Sequence, residues 1–209
     1  MKKEFPPRSG RGAGKTPAPF LPPLSFHPLT PARWDDFVEL FGPHGAQAGC
    51  WCMWPRLTAK EFEARKGLAN RRAMHAIVKS GTVPGILAYR EGHPVGWCAL
   101  APRVDYVRLE RSRVLAPVDD QPVWSVYCFF IARSERRRGV ATHLLHAAVQ
   151  HARKKGARIL EGYPIDPRSN RFPDAFAYHG TVRVFRAAGF REVARRSATR
   201  PIMRLELEA

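Results

Sequence analysis

A chain of 209 residues with twelve Phe and five Trp has enough apolar material for one domain with a true interior, and too little length for two. Its formal net charge of +17 predicts attraction to anionic partners, whether phosphorylated cofactors, nucleotides, nucleic acid or acidic membranes, without choosing among them. No run of eighteen apolar residues occurs and no apolar segment follows the basic N-terminus, which argues against a membrane span and against a secretory leader. Cys50, Cys52, Cys98 and Cys128 are therefore expected as reduced thiols of a cytoplasmic protein. Cys50-Trp51-Cys52 has no second pair at ligand spacing, so no metal is expected.

Residues 1–23 are rich in Pro and Gly, with five basic residues and one acid, Glu4. Such a segment buries too little to offset chain entropy and reads as a disordered basic arm. Gly14-Lys15-Thr16 looks like the end of a phosphate-binding loop, but Ser9 stands where the first glycine belongs and no strand precedes it. The domain is expected over 24–209. Leu24 to Leu29 reads as a strand. Thr30 and Pro31 open a helix with Trp34, Phe37, Val38 and Phe41 on one face, and Gly42 stops it. Thr58 and Glu61 have capping-box spacing and begin a helical region to Lys79, with a break near Gly67. Residues 86–89 and 95–100 form a hairpin about Glu91-Gly92-His93. A short helix is hinted at by Tyr106, Leu109 and Val114.

Val123 to Ile131 is an almost unbroken apolar run, as in a strand covered on both faces. From Gly139 to Lys155 the stripe Leu144, Leu145, Ala148, Val149 and Ala152 marks an amphipathic helix, and Arg158 to Tyr163 is the next strand. Strand, helix and strand make a right-handed crossover, which requires parallel pairing. A loop with Pro164, Pro167 and Pro173 leads to a helix near 180–188, and Phe190 to Ala194 and Met203 to Leu207 form a last antiparallel pair.

The junction Ile131-Ala132-Arg133-Ser134-Glu135-Arg136-Arg137-Arg138-Gly139-Val140-Ala141-Thr142 carries the chemical information. A helix start presents unpaired N–H groups and the positive end of its dipole, which together make an anion site. Gly139 and Ala141 let a phosphate approach the backbone, and three arginines add forked donors. By itself the segment also fits a solvated basic turn.

With the flanking elements, the sequence resembles the GNAT superfamily of acyl-CoA N-acyltransferases, whose signature (Arg or Gln, two residues, Gly, one residue, Gly or Ala) is met by Arg136, Gly139 and Ala141. Thr181 to Phe190 is similar to that family's late helix, ending in Gly189-Phe190. The resemblance spans Leu24 to about Leu207. It implies an α/β (α+β) fold with a mixed, mostly antiparallel twisted sheet, flanking helices and a central V-shaped splay. It further implies acetyl-CoA as cosubstrate, a primary amine as acceptor, and direct attack of the amine on the thioester. Phe129 and Ile131 would pair through their main chain with the pantetheine arm. Arg136, Arg137, Arg138, Gly139, Val140, Ala141 and Thr142 would hold the pyrophosphate. Where many members carry a proton-donating tyrosine, four residues before Gly189, this chain has Phe185. Tyr163 is then the first candidate donor and Tyr178 the second. Glu161 is the candidate base, or else a surface charge beside Arg158. Cys50 to Trp54 would line the acceptor end or pack in the core. A homodimer is compatible with this reading. An acyl-CoA sensor without efficient catalysis, favoured by Phe185, and a basic nucleic-acid binder are the alternatives; the absence of any nucleic-acid-binding motif argues against the second.

Overall fold

A computed structural model of the chain describes residues 21–167 and 178–207. The expected arm lies almost wholly outside these residues, as does Pro173. Seven strands form one sheet in the order β1-β2-β3-β4-β5-β7-β6, with β1 Leu24–Pro28, β2 Gly85–Arg90, β3 His93–Pro102, β4 Trp124–Ile131, β5 Ile159–Gly162, β6 Arg191–Arg195 and β7 Pro201–Glu206. Every neighbouring pair is antiparallel except β4 and β5. That parallel pair is the crossover expected on either side of the helix α5, Val140–Lys154.

Local chemistry explains the elements. In α1, Trp34–Phe41, the buried residues are Trp34, Phe37 and Phe41; a single 3₁₀ turn, Pro31–Arg33, precedes it, and the Thr30 side chain caps nothing. Both bonds of the capping box open α2, Ala59–Arg65: Glu61 N–H donates to Thr58 Oγ1 at 3.3 Å, and Thr58 N–H donates to Glu61 Oε2 at 2.9 Å. Gly67, with φ +80°, breaks the chain before α3, Leu68–Lys79. The β2–β3 turn has positive φ at both Glu91 and Gly92, which matches the right-handed twist of the strands it joins. A four-residue helix, α4, spans Val107–Glu110, and α6 spans Val182–Ala187.

Strand alternation sorts the core to the two faces of the sheet. Ile86, Ala88, Cys98 and Leu100 pack with Leu144, Leu145 and Ala148 of α5. Leu87, Tyr89, Trp97 and Ala99 pack with Trp34, Phe37 and Phe41 of α1 and Met74 and Val78 of α3. α5 sits close to the sheet because Gly96 lies beneath it: a Cβ there would be 3.0 Å from both Leu144 Cδ1 and Val140 Cγ1.

Two irregularities in β4 create the site. Between the pairs Cys98↔Phe129 and Leu100↔Val126, Tyr127 and Cys128 oppose Ala99 alone, a β-bulge. On its other side β4 pairs with β5 only through Trp124↔Leu160, Ser125↔Glu161 and Val126↔Gly162. Beyond Gly162 the chain turns away, and Ile165 instead bridges to Thr181. Tyr127 to Ile131 therefore have no strand partner on that edge, which is the splay the family resemblance implies. The Phe185 ring occupies the base of the opening. It meets Phe129 edge-on at 6.2 Å, and a Cβ on Gly162 would lie 2.0 Å from Phe185 Cε1.

Gly162→Ala is therefore expected to destabilise the fold by ~1–3 kcal/mol through overpacking, measured by denaturant unfolding. In combination with Phe185→Leu the losses should be clearly less than additive, because the clash needs both side chains. Additive losses would show that the ring is not what Gly162 accommodates.

Candidate active site

Two cavities meet along the unpaired edge of β4. The first, about 520 Å³, is lined by Phe129 and Ile131 from the strand and by Arg136, Arg137 and Gly139 to Thr142 from the turn and the start of α5; Arg183 of α6 closes it. Arg137 and Gly139 both have positive φ, +62° and +79°. Among the described residues, no turn or cap carbonyl accepts from the N–H groups of residues 137–141. Free N–H groups at a helix start, with guanidinium groups beside them, suit a polyanion. Arg138, grouped with these residues on sequence grounds, does not line the cavity. Its Nη1 donates to Glu135 Oε1 at 3.2 Å, and Arg90 Nε donates to Glu135 Oε2 at 3.1 Å. Buried Glu135 thus anchors the turn to β2 and takes Arg138 with it. Arg136 Nε donates to the Ile131 carbonyl at 3.3 Å, which ties the turn to the end of β4.

The second cavity, about 390 Å³, lies on the α1–α3 side and is lined chiefly by aromatic rings and thiols. It shares Ala46, Gln47, Phe129, Phe130 and Tyr178 with the first, so the two are continuous past the bulge. Its wall is the segment from Gly45 to Cys52, where Ala46, Ala48, Trp51 and Cys52 all have positive φ. Such backbone is costly for L-residues and persists where packing over-determines it. Here Gly45 and Gly49 stack closely on Trp51 and Gly67. Cys50, Cys52 and Trp54 line this cavity, whereas Trp51 and Met53 belong to the core. Cys52 Sγ accepts from Trp97 Nε1 at 3.2 Å. Hydrogen bonds from Cys128 and then Trp97 lower the Cys52 pKa against the opposing effect of burial, while burial raises that of Cys50 to about 11.

The model of the acetyltransferase (GNAT) family matches residues 34–175, which is most of the chain. The chain belongs to the GNAT acetyltransferase family. Solved structures agree on the fold. A GNAT-family acetyltransferase from Streptococcus agalactiae is 11% identical with a TM-score of 0.53, over 91% of this chain and 99% of that one. An N-acetyltransferase from Staphylococcus aureus is 12% identical with a TM-score of 0.53, over 89% and 99%. The yncA protein of Salmonella typhimurium, solved with its cofactor acetyl-CoA, is 13% identical with a TM-score of 0.50, over 88% and 94%. Comparison with curated protein sequences gives no match.

Within this GNAT domain the three side chains proposed from sequence for proton chemistry separate. Glu161 and Tyr163 come together, but in neither cavity. Glu161 is fully buried. It accepts from Tyr163 OH at 2.6 Å, Arg103 Nη1 at 3.0 Å and Arg204 Nε at 2.7 Å. Arg103 Nη1 also donates to Tyr163 OH at 2.8 Å, and Ser125 Oγ lies 2.8 Å from the same oxygen. Glu161 thus has two guanidinium partners and reaches neither cavity, and it is not a surface charge beside Arg158. Burial, then the charge of Glu161, pushes the Tyr163 phenol well above its ordinary range. Tyr178 is the one of the three that reaches the site, lining both cavities. Burial raises its pKa too, so it stays a protonated donor at neutral pH.

Sequence reading missed His179. Its Nδ1 stands 2.9 Å from the carbonyl oxygen of Tyr127, so Nδ1 carries the proton and pins the bulge from the side of the loop. A histidine directly before Gly180 gave no signal of this, because its partner is 52 positions away. Burial, then Arg200, depresses the His179 pKa to about 3.

The unfolded ring takes up its proton near ~6.5, so between that pH and about 3 the unfolded state binds the extra proton. His179 therefore contributes stability that is complete above ~6.5 and is lost as pH falls, at roughly 1.4 kcal/mol per pH unit. Urea unfolding at pH 7 and pH 5 should show a smaller acid-side loss for His179→Gln than for the parent. Equal losses would mean that the ring is protonated in the folded state.

Proposed function

We propose that this chain transfers an acetyl group from acetyl-CoA to a primary amine, both substrates being bound together, in the cytoplasm. The observation that carries the proposal is the continuity of a cationic cavity, built on free N–H groups, with an apolar cavity along the unpaired edge of β4. One suits a pyrophosphate and the other an acceptor. Acetyl-CoA would supply the thioester carbonyl that the amine attacks. Arg136, Arg137 and the N–H groups of Gly139 to Ala141 would hold its phosphates, with Thr142 lining the same cavity. The main chain of Phe129 and Ile131 would align its arm, and a backbone N–H near the bulge would face the charge developing on the carbonyl oxygen.

No carboxylate of β4 or β5 is available as a base in this arrangement, so the amine has to arrive neutral. Tyr178 takes the place of the tyrosine replaced by Phe185. Its phenol holds its proton more firmly than a thiol with a pKa of ~8.5, so it would act by donating a hydrogen bond to the departing sulfur rather than by giving the proton up early. The same Phe185 favours a second reading, an acyl-CoA-binding sensor with little turnover.

Gly139→Glu is expected to abolish acetyl-CoA binding in calorimetry, because a carboxylate would meet phosphate. Gly139→Ala imposes the same backbone strain without charge and should retain most of the affinity. Unchanged affinity in a folded Gly139→Glu chain would move the phosphate site elsewhere.

For the tyrosines the expected outcomes diverge. Tyr178→Phe should lower kcat at least ~10-fold at unchanged thermal stability, less than the ~10²–10⁴-fold of full general-acid catalysis because the phenol only donates a hydrogen bond. Tyr163→Phe should leave kcat within about twofold and cost ~1–3 kcal/mol of stability, since Ser125 and Arg103 lose a buried partner. Turnover with any amine excludes the sensor. A kcat loss confined to Tyr163→Phe would return that residue to the mechanism.

A further inference from the structure

The acceptor cavity is walled by aromatic rings, and an aromatic cage commonly binds a cation. Here, however, two of the rings, Trp54 and Phe62, already carry a cation of the protein. The Arg108 guanidinium lies 3.3 Å from the centroid of Trp54, held by a 2.7 Å bond from its Nε to the Trp54 carbonyl. Lys66 Nζ lies 5.9 Å from the centroid of Phe62, and Phe62 meets Trp54 edge-on at 4.8 Å. Among the described lining residues, Glu63 is the only carboxylate. It is 61% exposed at the rim and paired with Lys66 at 2.5 Å. Arg108 and Arg200 both act electrostatically on Tyr127 and Tyr178 deeper in the cavity, and Arg200 Nε and Nη2 have no hydrogen-bond partner among the described residues. The space is therefore apolar in its walls and positive in its field.

From this juxtaposition we infer that the acceptor is a small primary amine on an aryl or arylalkyl body, bound as the neutral base, and that polycationic and lysine-type amines are rejected. The inference rests on the acetyltransferase reading of the two cavities. A protonated amine would lose its hydration here without gaining an inner carboxylate, would find Trp54 and Phe62 already taken by Arg108 and Lys66, and would meet the field of Arg108 and Arg200. An aryl group instead finds the rings of Phe41 and Phe130 and the edges of Trp54 and Phe62 to pack on, and a cavity of about 390 Å³ is sized for a small molecule rather than a folded surface.

The test uses the full chain with saturating acetyl-CoA, release of free thiol as the readout, and three acceptors: phenethylamine, spermidine and Nα-acetyl-lysine amide. kcat/KM for phenethylamine should exceed that of each of the others at least ~10-fold, the scale on which an apolar pocket discriminates. Phe62→Ala should raise the phenethylamine KM by about the same factor and leave the acetyl-CoA KM within about twofold. Calorimetric titration of phenethylamine into the CoA-saturated parent gives binding evidence independent of any variant. Equal or better use of spermidine or the lysine amide, or no phenethylamine binding to that complex, overturns the inference and leaves the transferase reading intact. Failure to bind acetyl-CoA, or no turnover with any amine, removes both.

Discussion

Where β4 parts from β5, five residues of strand are left with main-chain groups facing a gap, and the fold can tolerate this only because the pairing that ends at Val126 and Gly162 is locked from both faces. On one face Glu161, Arg103, Arg204, Tyr163 and Ser125 form a buried network that ties β3, β4, β5 and β7 together. On the other the Phe185 ring is packed onto Gly162 with no room for a Cβ. A buried carboxylate is expensive to desolvate, and removing one partner of such a cluster typically costs ~3–5 kcal/mol because the remaining charge is stranded. Its use here is positional: it sets where the splay begins. Replacing tyrosine by phenylalanine at position 185 has a matching logic, since a hydroxyl is not needed to fill the base of the opening.

Above that lock, charge is divided between two compartments. Arg136, Arg137 and Arg183 line the cavity at the free N–H groups of the turn, while Glu135, on the same lining, holds Arg138 and Arg90 in ion pairs. The turn therefore keeps its donors pointed at the cavity without every arginine collapsing into it. Around the apolar cavity the arrangement is reversed: Arg108 stacks on Trp54 without lining the space, and the lining pair Lys66 and Glu63 leaves the wall nearly neutral. The two compartments meet at Ala46, Gln47, Phe129, Phe130 and Tyr178, next to the bulge at Tyr127 and Cys128, where His179 fixes the Tyr127 carbonyl.

The sequence was most informative where the cause is local. The α5 stripe, the Thr58–Glu61 capping box, the break at Gly67 and the hairpin at Glu91-Gly92 each follow from neighbours within one turn of helix or strand, and the structure has them as read. The parallel β4–β5 pair followed from the crossover rule. What failed was any role set by a distant partner. Glu161 and Tyr163 end a strand that leads to the splay, and nothing within ten residues says that Arg103, 58 positions back, and Arg204, 43 ahead, will capture the carboxylate. Arg138 was grouped with its neighbours because all three are cationic; its side chain is claimed by Glu135, in the same short segment, which composition alone could not rank. Tyr178 was placed second because it stands at the edge of a loop, yet that loop position is what lets it reach both cavities. The positive φ values at Ala46, Ala48, Trp51 and Cys52 left no trace in residue type, since alanine and tryptophan do not signal left-handed backbone.

With Glu63, at the rim, the only carboxylate among the described lining of the apolar cavity, the proposed reaction would be limited in which amines it can use. An amine with a pKa near ~10.4 is neutral about once in a few thousand molecules at pH 7, a cost of roughly 4–5 kcal/mol before any bond forms. An amine near ~8 costs only about 1.4 kcal/mol. Desolvation beside Arg108 and Arg200 lowers the pKa of a bound amine and so moves some of that cost from the chemical step to binding. Binding then falls hardest on amines that most prefer to stay charged. Under the proposed reaction selectivity and activation are one effect: the field that would repel an ammonium is the field that would deliver a free base to the thioester. In the proposed reaction the proton that the nitrogen sheds after attack would pass to the departing thiolate, so no carboxylate is needed to activate the amine, which gives a physical reason why Glu161, the carboxylate of β5, can be consumed entirely by structure.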